Sequence, residues 1–234
     1  MPLVTGNTLA FPLQLLRLWD DCDVARPGAV NMAIDEALLS EAVRLGGAIL
    51  RLYRWERPTL SFGYFLTQAE AQAARRPGEE MVRRWTGGGL VHHEATVTWT
   101  LVVPGADDFY RLRPPESYAV LHTAVAACLT NMLMGGVGVV PAVVKAPAGG
   151  LCAEVPAPGD LIWQGRKIAG AGQRRTRLGL LHQGVIFLPE ARLGGTFPDR
   201  LASSLAEAVV AFTPPGAWNI PVARYADPAW NAKR

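Results

Sequence analysis

Met81-Val-Arg-Arg-Trp-Thr-Gly-Gly-Gly-Leu-Val-His-His-Glu94 joins a basic pair, three consecutive glycines and a histidine pair, and runs straight into Ala95-Thr-Val-Thr-Trp-Thr-Leu-Val-Val103. Glycine offers no side-chain contacts and loses the most backbone entropy on folding, so three in a row are not there for packing. They suit a place where backbone adopts unusual dihedrals or lies against a ligand, typically one with phosphate or carboxylate oxygens. Arg83 and Arg84 would add positive charge at that place. The stretch therefore reads as the floor of an active site, with a plain hairpin turn as the other reading. It is not a Walker A loop, because no Gly-Lys-Ser/Thr follows, and not a dinucleotide fingerprint, because a strand rather than a helix follows.

Outward from this loop the elements alternate irregularly. Leu13–Trp19 has a strand pattern and ends in the turn-rich Asp20-Asp-Cys-Asp23. Asn31 is placed to cap a helix over Met32–Arg44, whose apolar residues Met32, Ile34, Ala37, Leu38 and Val43 fit helical periodicity. Strands are predicted over Ala48–Trp55 and Thr59–Phe65, and Thr67 is placed to cap a short helix over Gln68–Arg76. After the strand at 95–103 come a helix that Pro115 and Glu116 start, over Tyr118–Met134, a strand-like Val139–Lys145 and a connector at Ala146–Gly150. Asp160–Gly170 reads as a β-hairpin turning at Gln164-Gly165. A strand over Leu178–Leu188 and a helix over Leu201–Phe212 complete the pattern, and the prolines from Pro214 onward make the tail irregular from about 213. Strands and helices in this mixed order predict an α/β (α+β) fold, one mixed-sheet domain over residues 1–234.

Composition narrows the class. Half of the 234 residues are apolar, enough for a substantial core. A formal charge of +3, without a long Lys/Arg block, argues against nucleic acid as a partner. The densest basic group, Arg166, Arg174, Arg175 and Arg177, reads equally as an exposed strand–turn face. Cys22, Cys128 and Cys152 are an odd number without metal spacing, which predicts a reducing compartment and neither a disulfide framework nor a metal site. A signal peptide and a membrane span are not expected, so the predicted location is cytoplasmic.

Three further groups carry possible chemistry. Lys167, in Gly165-Arg-Lys-Ile-Ala-Gly170, would put a point charge on a carbonyl or phosphate oxygen, unless it is a solvated strand lysine. Cys152 follows Gly149-Gly150 and precedes Pro156 and Pro158, a setting less suited to core filling than that of Cys128 or Cys22. As a thiolate it would need a positive neighbour, such as Lys167 or one of His92, His93 and His182. His93 and His182 lie beside strands, where structural hydrogen bonding is the commoner use.

Four blocks in order resemble the lipoate–protein ligase A / octanoyltransferase family, relatives of biotin–protein ligases. They are Asn31-Met-Ala-Ile-Asp-Glu-Ala-Leu-Leu39, the run from Trp55 through Pro58-Thr-Leu-Ser-Phe-Gly-Tyr64, Arg83-Arg-Trp-Thr-Gly-Gly-Gly-Leu-Val-His-His93, and Asp160-Leu with Gly165-Arg-Lys-Ile-Ala-Gly170. The resemblance covers about residues 13–190. It implies a biotin/lipoate ligase-like catalytic domain and an enzyme that moves an octanoyl or lipoyl group onto the lysine of a lipoyl domain. Such domains occur in the glycine-cleavage H protein and in 2-oxoacid dehydrogenase subunits. It assigns Lys167 to the acyl carbonyl or phosphate oxygen, and Arg84, Gly87, Gly88, Gly89, Val91, His93, Ala169 and Gly170 to the acyl pocket.

Two branches of that family differ in cofactor. Transferases take octanoyl from acyl carrier protein through a cysteine thioester and need no cofactor, whereas ligases make an acyl-adenylate with ATP and Mg²⁺. Cys152-Ala-Glu-Val-Pro156-Ala-Pro-Gly-Asp-Leu161 resembles the cysteine loop of the ligase-like octanoyltransferases, and this nominates Cys152 as nucleophile. The chain departs from the family pattern at His92, at Glu94-Ala-Thr-Val97 and at Gln183, which stands between His182 and Gly184 where a His-Gly pair is common. An ATP-dependent ligase and a non-catalytic acyl- or carrier-binding module are the alternatives.

Overall fold

The computed structural model describes residues 12–94, 96–141, 156–216 and 218–233. In chain order the first elements are β1 (Leu13–Arg26), α1 (Gly28–Leu45), β2 (Ala48–Trp55), β3 (Thr59–Phe62), α2 (Gln68–Ala74), β4 (Glu80–Arg83) and β5 (Leu90–His93). Then come β6 (Val97–Pro104), a 3-10 turn at Asp108–Arg111, α3 (Pro114–Leu133), β7 (Gly138–Val139), β8 (Leu161–Trp163), β9 (Arg166–Thr176) and β10 (Gly179–Ile186). The last are α4 (Glu190–Leu193), α5 (Phe197–Leu205), β11 (Ala206–Ala211), α6 (Val222–Ala226) and α7 (Pro228–Ala232).

Eight strands form one mixed sheet in the order β11-β1-β2-β6-β10-β9-β8-β7, and β4-β3-β5 form a second, small sheet. β1 runs parallel to both β2 and β11, while the neighbours from β2 to β7 pair antiparallel. Side chains alternate across a strand with period two, and this divides the large sheet's residues between two helical layers. Leu50, Leu52, Trp99, Leu101, Val103 and Leu180 pack against Leu121, Val125 and Leu129 of α3 and Leu201 and Leu205 of α5. Ile49, Val102 and Leu181, on the other face, pack against Ile34, Leu38 and Ala42 of α1. The small sheet joins through Val82, which packs with Met32 and Ala33 of α1 and with Tyr225 and Trp230.

Several local expectations hold. Thr67 caps α2 in a reciprocal capping box with Glu70. The β8–β9 hairpin turns at Gln164 and Gly165, whose φ values of 50° and 74° suit a tight strand-to-strand turn. Others need correction. α1 begins at Gly28, a turn before Asn31, which is therefore no cap: it is buried, and its amide donates to the carbonyls of Arg26 and Arg54. β1 continues through Cys22 to Arg26. α3 starts at Pro114, because two prolines supply the φ of a first helical turn. Of the predicted strand 139–145, Val139 belongs to the two-residue β7, Val140 and Pro141 are not in a strand, and residues 142–145 lie outside the described residues. The predicted helix 201–212 ends at Leu205, and Ala206–Ala211 becomes β11 by pairing with β1. The tail contains α6 and α7, and their Tyr225 and Trp230 are buried.

Candidate functional site

The glycine loop lies between the end of β3 and the middle of β9. Tyr64 N donates to Thr86 O at 2.8 Å, and Gly63 N donates to Gly89 O at 3.2 Å. Glycine is required on both sides of this seam: a Cβ on Gly63 would overlap the Gly88 carbonyl, and one on Gly172 would overlap the Gly87 carbonyl. Gly88 itself has φ +102°, a backbone that L side chains rarely adopt.

Successive residues of an extended chain point to opposite sides, and this separates the arginine pair. Arg84 turns inward. Its Nη1 donates to Ser61 Oγ at 2.6 Å and its Nη2 to Gly89 O at 2.9 Å. Ser61 Oγ lies 2.6 Å from His93 Nε2, and His93 Nδ1 lies 3.3 Å from Thr98 Oγ1, which also receives Trp55 Nε1–H at 2.9 Å. Because Arg84 donates to Ser61, the serine proton is best used on His93 Nε2, which leaves Nδ1–H to donate to Thr98. Burial, reinforced by Arg84 and His92, holds the His93 pKa well below the usual imidazole range, so the ring is neutral. Arg83 points away. Fully buried, it donates to the carbonyls of Tyr64, Leu66, Trp230 and Asn231. Its charge ties α7 to β4 instead of facing a ligand, contrary to expectation.

Lys167 is buried rather than solvated. Its Nζ lies 2.6 Å from Asp160 Oδ2, and Asp160 also accepts from Ala157 N at 2.6 Å. Burial raises the Asp160 pKa, with Lys167 pulling the other way. The end of the lysine packs on Gly170, where a Cβ would come within 3.0 Å of Lys167 Cε and 2.7 Å of Asp160 Oδ1. His122 of α3 stands behind this pair, with Nδ1 donating to Gly159 O at 2.7 Å. Its pKa is lowered to about 4, mainly by burial and in part by Lys167. His182 is fully buried against Trp99, accepts from Gln173 Nε2 at 2.9 Å, and is likewise held neutral by burial. It is structural.

Between α1 and the sheet lies a polar cluster that sequence reading missed. Asp35 is fully buried; its carboxylate accepts from Arg51 Nη1, Tyr53 OH, Thr100 Oγ1 and Gln183 Nε2, all within 2.9 Å. Burial raises its pKa against the opposing pull of Arg51. Arg51, also fully buried, pairs with Asp21 as well. Gln183 Oε1 in turn accepts from Thr86 Oγ1 at 2.7 Å, at the head of the glycine loop. The available signal was a charged residue on the apolar stripe of α1 and a glutamine next to His182 between Leu181 and Val185 in a largely apolar strand.

The glycine loop, β2, β3 and β10 line one small cavity of about 30 Å³, and Lys167 and Asp160 lie outside its lining. Met32, Tyr53, Trp55 and Val185 form its apolar wall, and Ser61, Arg84, His93, Thr98 and Gln183 its polar wall. Of the predicted residues Arg84, Gly88, Val91, His93 and Gly170 line it. Ala169 packs in the core on the α3 side. Gly87 and Gly89 act through their carbonyls, against Gly172 and toward Arg84. Cys152 lies outside the described residues. The basic group is not one exposed face: Arg175 donates to Tyr110 O and Ser117 Oγ, and Arg174 lies between the rings of Tyr64 and Trp85. Among the described residues no three His, Cys, Asp or Glu side chains gather as metal ligands, and no helix is long and apolar enough to cross a membrane.

Known proteins resemble this chain in sequence and in fold. The chain is 36% identical over 182 residues to octanoyltransferase LipM of Carboxydothermus hydrogenoformans, covering 75% of this chain and 66% of that one. It is 34% identical over 201 residues to octanoyltransferase LipM of Lysinibacillus sphaericus, covering 77% and 72%. The chain thus spans about two thirds of these curated relatives. In fold it is similar to protein Ta0514 of T. acidophilum, solved with bound lipoic acid, at TM-score 0.67 and 17% identity over 94% of this chain and all of that one. It is also similar to lipoate-protein ligase A bound with ATP, at TM-score 0.57 and 18% identity over 86% and 90%. The sequence pattern of the lipoyl protein ligase A/B catalytic domain matches residues 27–189, from the start of α1 to just past β10, and the chain belongs to that family.

Proposed function

We propose that the chain is an octanoyltransferase of protein lipoylation. Octanoyl would pass from acyl carrier protein to the Cys152 sulfur, then to the lysine of a lipoyl domain such as the glycine-cleavage H protein or a 2-oxoacid dehydrogenase subunit. The observation that carries this reading is the Lys167 ammonium, buried with Asp160 and packed on Gly170, which itself lines the cavity. A cation beside the cavity, screened from water, would stabilise the negative charge that grows on an acyl carbonyl oxygen under attack. In the first step the cysteine sulfur bonds to the acyl carbon, the donor C–S bond breaks and the proton goes to the leaving thiolate. In the second, the acceptor amine displaces Cys152 and leaves an amide. Gly87, Gly88, Gly89 and Val91 border the acyl group, with Arg84 and His93 holding that loop in shape. Cys152 is four positions from Pro156, a tether of about 14 Å at most, and Pro156 is four positions from Asp160. The resemblance of these relatives, all octanoyltransferases, favours this route over the ATP- and Mg²⁺-dependent one. The setting is cytoplasmic, and the reaction requires no cofactor.

The test is intact mass after mixing the protein with octanoyl-acyl carrier protein. One octanoyl adduct that is absent in Cys152→Ala, and that is discharged by apo-H protein, supports the reading. Lipoyl transfer that requires ATP and survives Cys152→Ala overturns it.

A further inference from the structure

We propose that Gln183 is a positioning residue, which fixes the glycine loop to the buried Asp35–Arg51 pair and so sets the shape of the acyl cavity. Only the kinetic part of this proposal rests on the acyl-transfer reading.

Gln183 is buried, lines the cavity and bridges two elements far apart in sequence. Chemistry settles the orientation of its amide. The group 2.7 Å from Asp35 Oδ2 faces a carboxylate, so it is the Nε2 donor; the Oε1 end is then left to accept the Thr86 hydroxyl at 2.7 Å. The anchor end is rigid. Asp35 has four donors, and Arg51 is held in addition by Asp21 and by Asn31 Oδ1. The far end is the opposite case. Thr86 is followed by three glycines, whose backbone has little intrinsic preference for one shape. The Gln183 bridge from a rigid charge pair therefore supplies order at the head of the loop, as Arg84 does at Gly89 O, where the sequence itself supplies little.

The experiment uses the whole chain carrying Gln183→Leu, Thr86→Val, both together, Thr86→Ser, and Gln183→Glu. Each disruptive single change is expected to lower the acyl-transfer kcat about tenfold. The double is expected to lose no more than the worse single, because both break the same link. Thr86→Ser, which keeps the hydroxyl, recovers most of the loss. Amide hydrogen exchange at Gly87–Gly89 is expected to quicken in Gln183→Leu and Thr86→Val alike. Gln183→Glu puts a carboxyl against Asp35 of α1, with Arg51 and Tyr53 of β2 beside it and Arg84 and His93 across the cavity. Two carboxyls so close share a proton, so this variant is expected to work at acid pH and to lose activity as pH rises, a profile the wild type lacks. Losses that multiply in the double, unchanged exchange at Gly87–Gly89 in Gln183→Leu, or a wild-type pH profile for Gln183→Glu would each overturn the proposal. If the wild type transfers no octanoyl, the functional reading fails, and hydrogen exchange still decides the role of Gln183.

Discussion

Lys167 Nζ and Asp160 Oδ2 lie 2.6 Å apart with both side chains almost wholly buried, so each ion depends on the other. Removing one partner of such a buried pair takes away the ion opposite it and costs about 3–5 kcal/mol, whereas removing both is much milder. Asp160→Ala is therefore expected to destabilise the fold by about that amount in urea unfolding, and Asp160→Ala with Lys167→Met by clearly less. Lys167→Met alone should lower acyl transfer by about a hundredfold or more.

The seam of glycines gives a second prediction. Gly63→Ala would force a Cβ onto the Gly88 carbonyl, and backbone cannot swing away as a side chain does. The variant is expected to lose at least about tenfold in kcat/KM through a displaced loop. Gly136→Ala, where nothing lies within 4 Å, is the control, with stability changed by less than about 0.5 kcal/mol.

Acid sensitivity follows from His122. Its folded pKa is about 4, against about 6.5 in an unfolded chain. Between those values the unfolded state binds the extra proton, so stability is full above about pH 6.5 and falls as pH drops toward 4. The loss amounts to about 3 kcal/mol for this ring. Asp35 and Asp160, whose carboxyl pKa values are raised, act in the opposite sense. Comparing His122→Gln with wild type in urea between pH 7 and 4.5 isolates the histidine: the variant's stability should fall less over that range.

Arg83 offers a fourth. Its planar fork reaches four carbonyls, two of them in α7. A lysine has the charge without the fork, so Arg83→Lys is expected to cost about 2 kcal/mol. Hydrogen exchange in residues 222–233 should rise ahead of exchange in β10.

Local chemistry was the legible part of this chain. The glycine run, the Gln164-Gly165 turn and the Thr67 cap declare themselves because the residues that cause them are adjacent. Partners from distant segments were not legible. Nothing near Ala206-Glu-Ala-Val-Val-Ala211 announces a strand; its alanines favour helix, and only hydrogen bonds to β1 make it extended. Arg83 and Arg84 looked alike until strand alternation sent them to opposite sides. Asp35 and Gln183 are 148 positions apart, and neither residue carries a mark of the other. Lys167 was located from its motif, but its burial depends on Asp160 across the hairpin.

The place of β1 bears on how the chain is made. It lies between β2 and β11 and runs parallel to both, with Leu13 opposite Ala206. Parallel neighbours cannot be joined by a tight turn, so one edge of β1 stays open while nearly all the intervening residues are synthesised, at about 5–20 residues per second. An uncovered edge invites pairing with another chain. The nascent protein is thus exposed to aggregation until β11 clears the ribosome, and its yield in cells should depend more on chaperone supply during translation than on the stability of the finished fold.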